Sequence, residues 1–297
     1  MRIKYVTPAL VVAAALMLSG CVDNSTGTET TTGGNTPDVG VNEAAAALLP
    51  DDIKEAGVLV IGIDPTYAPN EYKDDAGNPI GWEVDLANAM AATLGLETQY
   101  EPSSFDKIIP SVTGGSYDIG FSSFTDNAER EKVVDFVNYY EAGIQWAQLI
   151  GVDVDPANAC GLTVAVQTAT YEETDELPAK SQECVDAGNE PINILKFDTQ
   201  DEATNALALG RADAMSADSP ITQYAVSQVE DKIELAGDSF DTAPYGIAIA
   251  KDSTLPAALQ AALQSMIDDG TYKSILDDWG VFSGAVDTIT INAATAS

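Results

Sequence analysis

The chain has 297 residues, enough for one large or two modest domains with real cores. Thirteen Lys and Arg against 47 Asp and Glu give a formal charge of −34, and there is no histidine. Such a surface repels nucleic acid and anionic headgroups and favours cationic partners. Without histidine there is no His-dependent triad, no His-ligated zinc and no imidazole base. No metal or cofactor is expected, and an enzyme would have to use carboxylates, serines or lysines.

In chain order, Arg2 and Lys4 precede an apolar run over 9–18 and then small residues. This is the pattern of a secretory signal peptide over 1–20, too short to span a membrane in the usual way. Leu18-Ser19-Gly20-Cys21 resembles the bacterial lipobox, in which the cysteine becomes the lipidated first residue. Cys21 is therefore the expected membrane anchor, outside the cytoplasm. Export implies an oxidising compartment, so Cys160 and Cys184 are expected to form a disulfide; two buried free thiols are the alternative. Residues 22–41 are rich in Thr, Gly, Asn, Asp and Ser and read as a flexible tether. A short helix capped by Asn42 is expected over 42–49, inside a tether drawn as 21–50, with order starting near Asp51.

Strands are expected over 58–63, 97–101, 117–121, 135–137 and 144–150, then 162–166, 192–197, 212–216 and 247–250. Helices are expected over 83–94, 105–112, 171–186 (interrupted at Pro178), 200–209, 220–228, 255–268 and 272–279. Asp64-Pro65-Thr66-Tyr67-Ala68-Pro69 reads as a rigid loop and 75–79 as a turn. Alternating strands and helices imply an α/β protein with largely parallel sheets. Ligands of such sheets sit beyond the carboxyl ends of the strands. The segments after Ile63, Phe121, Val166 and Ser216 all fall at such ends.

The segment Ser122-Ser123-Phe124-Thr125-Asp126-Asn127-Ala128-Glu129-Arg130 follows a strand and opens a short helical run over 128–134. Hydroxyls, helix N-terminal amides and one arginine suit a small carboxylate. The same segment also reads as a turn with a capping box from Asp126 to Glu129 and a solvated arginine.

Several spaced motifs resemble solute-binding family 3, the amino-acid-binding receptors of bacterial ABC importers. Asp64-Pro-Thr-Tyr-Ala-Pro69 is similar to the first binding loop, and Gly81-Trp-Glu-Val-Asp-Leu86 to the helix start that follows it. Phe105-Asp-Lys-Ile-Ile-Pro110, Asn127-Ala-Glu-Arg130 with Val134-Asp-Phe136, and Gly210-Arg-Ala-Asp-Ala214 with Asp218 follow in order. Tyr245-Gly-Ile-Ala248 and Gly270-Thr-Tyr…Trp279-Gly280 resemble the closing segments. The likeness covers about residues 55–283.

The resemblance implies a two-lobed, type II periplasmic-binding-protein-like α/β fold, with mixed or parallel sheets joined by two hinge strands. Lobe 1 would be 51–141 plus 244–283, lobe 2 would be 145–241, and 284–297 a C-terminal tail. It implies that Arg130, with Ser122, Ser123 and Thr125, holds an α-carboxylate, that Thr170 helps from the other lobe, and that Asp218 accepts from the α-ammonium. Asp64 and Tyr67 would contact the side chain and Phe105 would form a wall. Each has a plainer reading: Asp218 a cap for the helix at Pro220, Asp64 a turn residue, Phe105 core, Ser122 facing away from the cleft. Trp82, Asp85, Tyr272 and Trp279 read as structural. Three positions depart from the family: Asn127 for threonine, Asn70 for an aromatic at the pocket entrance, and Ala169 for glycine where φ > 0 costs alanine more.

The function implied is capture of a polar, cationic amino acid outside the membrane and delivery to an ABC permease with its ATPase, by a lipid-anchored monomer that does not bind nucleic acid. Glutamine or glutamate is the alternative within the family. A further alternative is an exported dehydratase on the same fold, for which Glu172 and Glu173 are the candidate acids.

Overall fold

The computed structural model describes residues 39–229 and 231–294. The expected signal peptide, Cys21 and most of the expected tether lie outside the described residues. Helix α1 (Glu43–Ala46) is capped by Asn42, whose side-chain oxygen accepts from the N–H groups of Ala44 and Ala45. Helix α2 (Asp51–Ala56) follows. Ala45, Leu49 and Ile53 are buried in one core with the residues of the later helices. Residues 42–50 thus belong to the packed body and not to a tether, because their apolar side chains find a core to join.

Strand β1 (Val58–Ile63) leads into a small antiparallel sheet of β2 (Thr66–Tyr67), β3 (Glu71–Lys73) and β4 (Pro79–Ile80). These strands are too short to show a period of two, and the sequence there reads as loop. Gly81 has φ 133°, and a Cβ on it would stand 2.1 Å from the Asn70 carbonyl oxygen. Only glycine lets the chain pass that close before α3 (Trp82–Thr93) begins. Strand β5 (Glu97–Pro102), helix α4 (Phe105–Thr113) and strand β6 (Ile119–Thr125) complete a parallel unit with β1 in the middle.

Strand β7 (Val134–Leu149) is continuous, where the sequence predicted two pieces. The second half then alternates: β8 (Thr163–Gln167), α5 (Leu177–Asp186), β9 (Asn193–Phe197), α6 (Gln200–Ala208), β10 (Ala214–Asp218) and α7 (Ser219–Gln228). Strand β11 (Ile233–Ala250) returns antiparallel to β7, from Ile233 opposite Leu149 to Ala250 opposite Val134. Its register shifts twice between Ala236 and Ala243. The polar run Gly237-Asp238-Ser239 sits at these bulges, which is why only its last four residues read as strand. Opposite it, a Cβ on Gly143 would meet the Ser239 hydroxyl at 2.3 Å. Helices α8 (Leu255–Asp269) and α9 (Thr271–Asp278) pack on the first half.

The strand order is β5-β1-β6-β11-β7-β10-β8-β9. The two long strands therefore join two α/β halves, each with its own cores: one around Leu59, Trp82, Met90 and Leu263, others around Trp146, Val164 and Met215. Strand β12 (Thr290–Ile291) pairs with β7, Ile289 is buried, and Asn292 and Phe136 exchange hydrogen bonds of 2.8 and 3.0 Å. The C-terminal segment as far as Ala294 is thus tied to the sheet, where the sequence suggested a tail. Cys160 and Cys184 form a disulfide within the second half, with Cα atoms 5.5 Å apart. No described helix is long and apolar enough to cross a membrane.

Candidate functional site

A narrow cavity lies where the two halves meet. All nine residues proposed from the sequence line it: Asp64, Tyr67, Phe105, Ser122, Ser123, Thr125, Arg130, Thr170 and Asp218. So do Glu71, Gln167, Tyr171 and Glu172. Asp64 follows β1 directly, while Thr125, Gln167 and Asp218 end β6, β8 and β10. The strand-end rule could have found Gln167. Glu71 gives no such signal, because its strand has three residues.

Arg130 is held by the turn that carries it. The expected helix over 128–134 is a single 3-10 turn, Arg130–Lys132. Asn127 caps it, accepting from the Arg130 N–H at 2.8 Å. Asp126 does not cap; it turns inward and accepts from Asn138 (2.9 Å) and the Ala293 N–H (2.8 Å). The Arg130 guanidinium donates to the carbonyls of Thr125 (2.8 Å) and Ala169 (3.0 Å). It lies 5.7 and 5.8 Å from the rings of Phe105 and Phe124, which stack on each other. Burial lowers its pKa, and the charges of Glu172, Asp175 and Asp218 oppose that shift. It is not a solvated surface arginine.

Ala169 adopts φ 66°, the conformation that glycine would take without strain. Its N–H donates to Glu173, which also pairs with Lys196. The Thr170 hydroxyl is spent on the Gln167 carbonyl (2.9 Å). Glu172 opens a π-helical turn, Glu172–Glu176, the kind of local widening often found at functional sites. Glu172 is buried, and one of its oxygens has no hydrogen-bond partner. Burial, and then the nearby Asp218, hold its carboxyl well above the usual range.

Asp218 makes no side-chain cap to α7. It accepts from the Tyr67 hydroxyl at 2.8 Å, across the two halves. Burial pushes its pKa up to about 6, against the lowering effect of Tyr67 and Arg130. The Tyr245 hydroxyl is buried beside it and also lowers its pKa. Asp64 accepts from Thr66 (2.9 Å) and from Gln167 of the other half (2.8 Å). Burial raises it to about 6 as well.

The serines do not stand free in the way the sequence suggested. Ser122 accepts from the Asp64 N–H (3.1 Å) and donates to Glu71 (2.7 Å). Ser123, at φ 50°, accepts from Asn70 (2.8 Å) and donates to Glu83 (2.8 Å). Neither hydroxyl keeps a proton for a ligand's carboxylate. Asn70 is wholly buried between Ser123 and the Trp82 indole, not at the pocket entrance. Trp279 donates to Asp85 and Tyr272 to the Tyr139 carbonyl, both structural contacts. Taken together, the cavity sets four carboxyl groups, Asp64, Glu71, Glu172 and Asp218, against one cation, Arg130.

Comparison with known proteins agrees with this architecture. The family model for bacterial extracellular solute-binding proteins, family 3, matches residues 59–282. The arginine-binding protein ArgT of Corynebacterium glutamicum is 42% identical over 289 residues, covering 95% of this chain and 93% of ArgT. An ancestral arginine-binding protein bound to arginine superposes with a TM-score of 0.69 at 33% identity, covering 75% of this chain and 98% of that one. An ancestral amino acid-binding protein, AncCDT-1, a precursor of cyclohexadienyl dehydratase, gives 0.68 at 30% identity, covering 78% and 99%.

Proposed function

The chain belongs to the bacterial extracellular solute-binding proteins of family 3, and from that membership we propose that it is the receptor of an ABC importer for a cationic amino acid, arginine foremost. The observation that carries this reading is the excess of buried carboxyl groups over cations in the cavity. A buried charge without a partner is costly, so such a cavity favours a ligand that brings positive charge. Arg130 takes the α-carboxylate, with Thr125 and the backbone of the Thr170 loop. Asp218 takes the α-ammonium. Asp64 and Tyr67 meet the side chain, and Phe105 walls it. The similarity to arginine-binding proteins supports the same ligand.

Lobe 1 is assigned to 51–141 and 244–283, extended by the segments 42–50 and 284–294 that pack on it, and lobe 2 to 145–241, with β7 and β11 as the hinge. Ligand-stabilised closure then presents a distinct surface to the permease. Cys21 anchors the protein to the outer face of the membrane as a lipoprotein, and the protein acts as a monomer.

Glu172 has the burial and the raised pKa that a general acid requires. Glu173 is already engaged by the Ala169 N–H and by Lys196. Against a dehydratase stands the count of charges: a dicarboxylic acid would meet four carboxyls and one arginine. The deciding experiment is a thermal-shift and calorimetric screen against the twenty amino acids, ornithine and a cyclic dicarboxylic acid. Stabilisation by arginine, lysine or ornithine supports the reading. Stabilisation by glutamine or glutamate alone overturns the cationic ligand, and turnover of the cyclic acid overturns the receptor.

A further inference from the structure

Beneath the side-chain end of the cavity, Glu71 and Glu83 stand together, both buried. Their hydrogen bonds are unequal. Glu83 accepts from three donors: the Ser123 N–H (3.1 Å), the Ser123 hydroxyl (2.8 Å) and the Tyr139 hydroxyl (2.5 Å). That set belongs to an ionised carboxylate, which only accepts. Glu71 accepts from Ser122 through one oxygen (2.7 Å). Its other oxygen lies 3.4 Å from the Ser123 hydroxyl, whose single proton already points to Glu83 at the shorter distance. Two carboxylates this close do not both ionise when buried, so the pair holds one proton, and the donor count puts it on Glu71.

The surroundings leave that pair without a counter-ion. Facing it are Asp64 at the end of β1 and Tyr139 from β7, with Tyr67, Tyr171, Glu172 and Asp218 around the same cavity. Lys73, on Glu71's own strand, is exposed. Arg130 is the only lysine or arginine lining the cavity among the described residues, and its guanidinium is committed to the Thr125 and Ala169 carbonyls. Glu83 is thus a buried negative charge reached through Glu71, and Glu71 itself lines the cavity next to Asp64.

We propose that Glu71 reads the charge of the bound amino acid's side chain: protonated in the empty protein, it releases that proton to solvent when a guanidinium or ammonium settles against it, and keeps it when the side chain is neutral. The inference rests on the amino-acid-receptor reading above. One O–H bond breaks, the proton goes to buffer, and the ligand's cation replaces it beside the carboxylate pair. Selectivity for a cationic over a neutral side chain then depends on pH.

The test compares arginine with citrulline, its neutral isostere, by calorimetry from pH 5 to 8.5 in two buffers of different ionisation enthalpy. The expected result is a ratio of arginine to citrulline affinity that rises by up to about tenfold per pH unit, with close to one proton more released on binding arginine than on binding citrulline. In Glu71→Gln the ratio should fall at least tenfold at pH 8, and the extra proton release should vanish. Glu83→Gln serves as the second variant: Glu71 keeps its carboxyl but loses the charge behind it, so the rise in the ratio should move to lower pH. A Glu71→Gln protein that binds arginine with the wild-type ratio at every pH overturns the inference and leaves the receptor intact. Arginine binding by the wild type that releases no more protons than citrulline binding does the same. If the wild type binds neither ligand, the receptor reading falls, and this inference with it.

Discussion

The Tyr67 hydroxyl reaches across the cleft to Asp218 and donates to it at 2.8 Å. Gln167 reaches back to Asp64 at 2.8 Å, and Arg130 bonds the Ala169 carbonyl at 3.0 Å. Each of these three contacts joins the two halves, and each occupies a group that an amino acid needs. A ligand therefore takes over existing hydrogen bonds as it enters. Asp218→Asn keeps an acceptor for Tyr67 and removes the charge. Hydrogen bonds to charged groups are worth about 1.5–3 kcal/mol, so arginine affinity should fall about 10- to 100-fold. The unliganded melting temperature should hold or rise, since a buried acid is lost. Titration calorimetry with thermal melting checks both, and an unchanged affinity would remove Asp218 from the site.

Arg130→Lys keeps the cation and loses the fork. One ammonium cannot bond the Thr125 and Ala169 carbonyls and also face a carboxylate in two-point fashion, nor stack as a plane against Phe105 and Phe124. Arginine affinity should drop about 100-fold while the circular dichroism spectrum stays native. Wild-type affinity in this variant would show that charge alone suffices.

Most helices and strands of the two halves were legible because each buries one face and keeps a clear period, as with α4 and α8. The hinge was not. β7 and β11 pass through polar, bulged middles where burial alternates poorly, so β7 was read as two short strands and β11 only as its last four residues. In the site, the residues with a family motif behind them, Arg130 among them, line one cavity. What failed was the hydrogen-bond state of Ser122 and Ser123. Their partners Glu71 and Glu83 are 51 and 40 positions away in sequence, a pairing that no local pattern encodes.

Ala169 offers a test of strain. At φ 66° a Cβ costs about 1–2 kcal/mol, offset in part by the greater chain entropy that glycine loses on folding. Ala169→Gly should stabilise the unliganded protein by up to about 1 kcal/mol, seen as a melting temperature raised by about 1–4 °C. A lower melting temperature would mean that the loop is not strained at this position.

The Cys160–Cys184 bridge spans a sequence separation of 24. A loop of that size contributes about 3 kcal/mol through the unfolded state. The double variant Cys160→Ser with Cys184→Ser should lose about that much in denaturant unfolding. Its arginine affinity should not change, because neither cysteine lines the cavity. A large loss of affinity would tie the α5 end of the second half to the site.

The pH dependence of stability should run opposite to that of binding. Asp64 and Asp218 sit at about 6 in the folded protein, and burial holds Glu71 and Glu172 well above the usual carboxylate range. In the unfolded chain such carboxyls titrate near 4. A raised folded pKa means that the folded state binds more protons, so its contribution to stability is full below about 4 and is lost as pH rises through 6 and beyond. Asp106 and Asp135 are held low by Lys107 and Lys251, and their opposite contribution fades only at more acid pH. The empty protein should therefore melt at progressively lower temperature from pH 5 to pH 8. A cationic ligand prefers the ionised carboxylates, so the increment that arginine adds at fixed concentration should grow over the same interval. Melting curves with and without arginine at four pH values check this. A ligand-free melting temperature that stays flat or rises from pH 5 to 8 would show that these acids are not protonated when the cleft is empty.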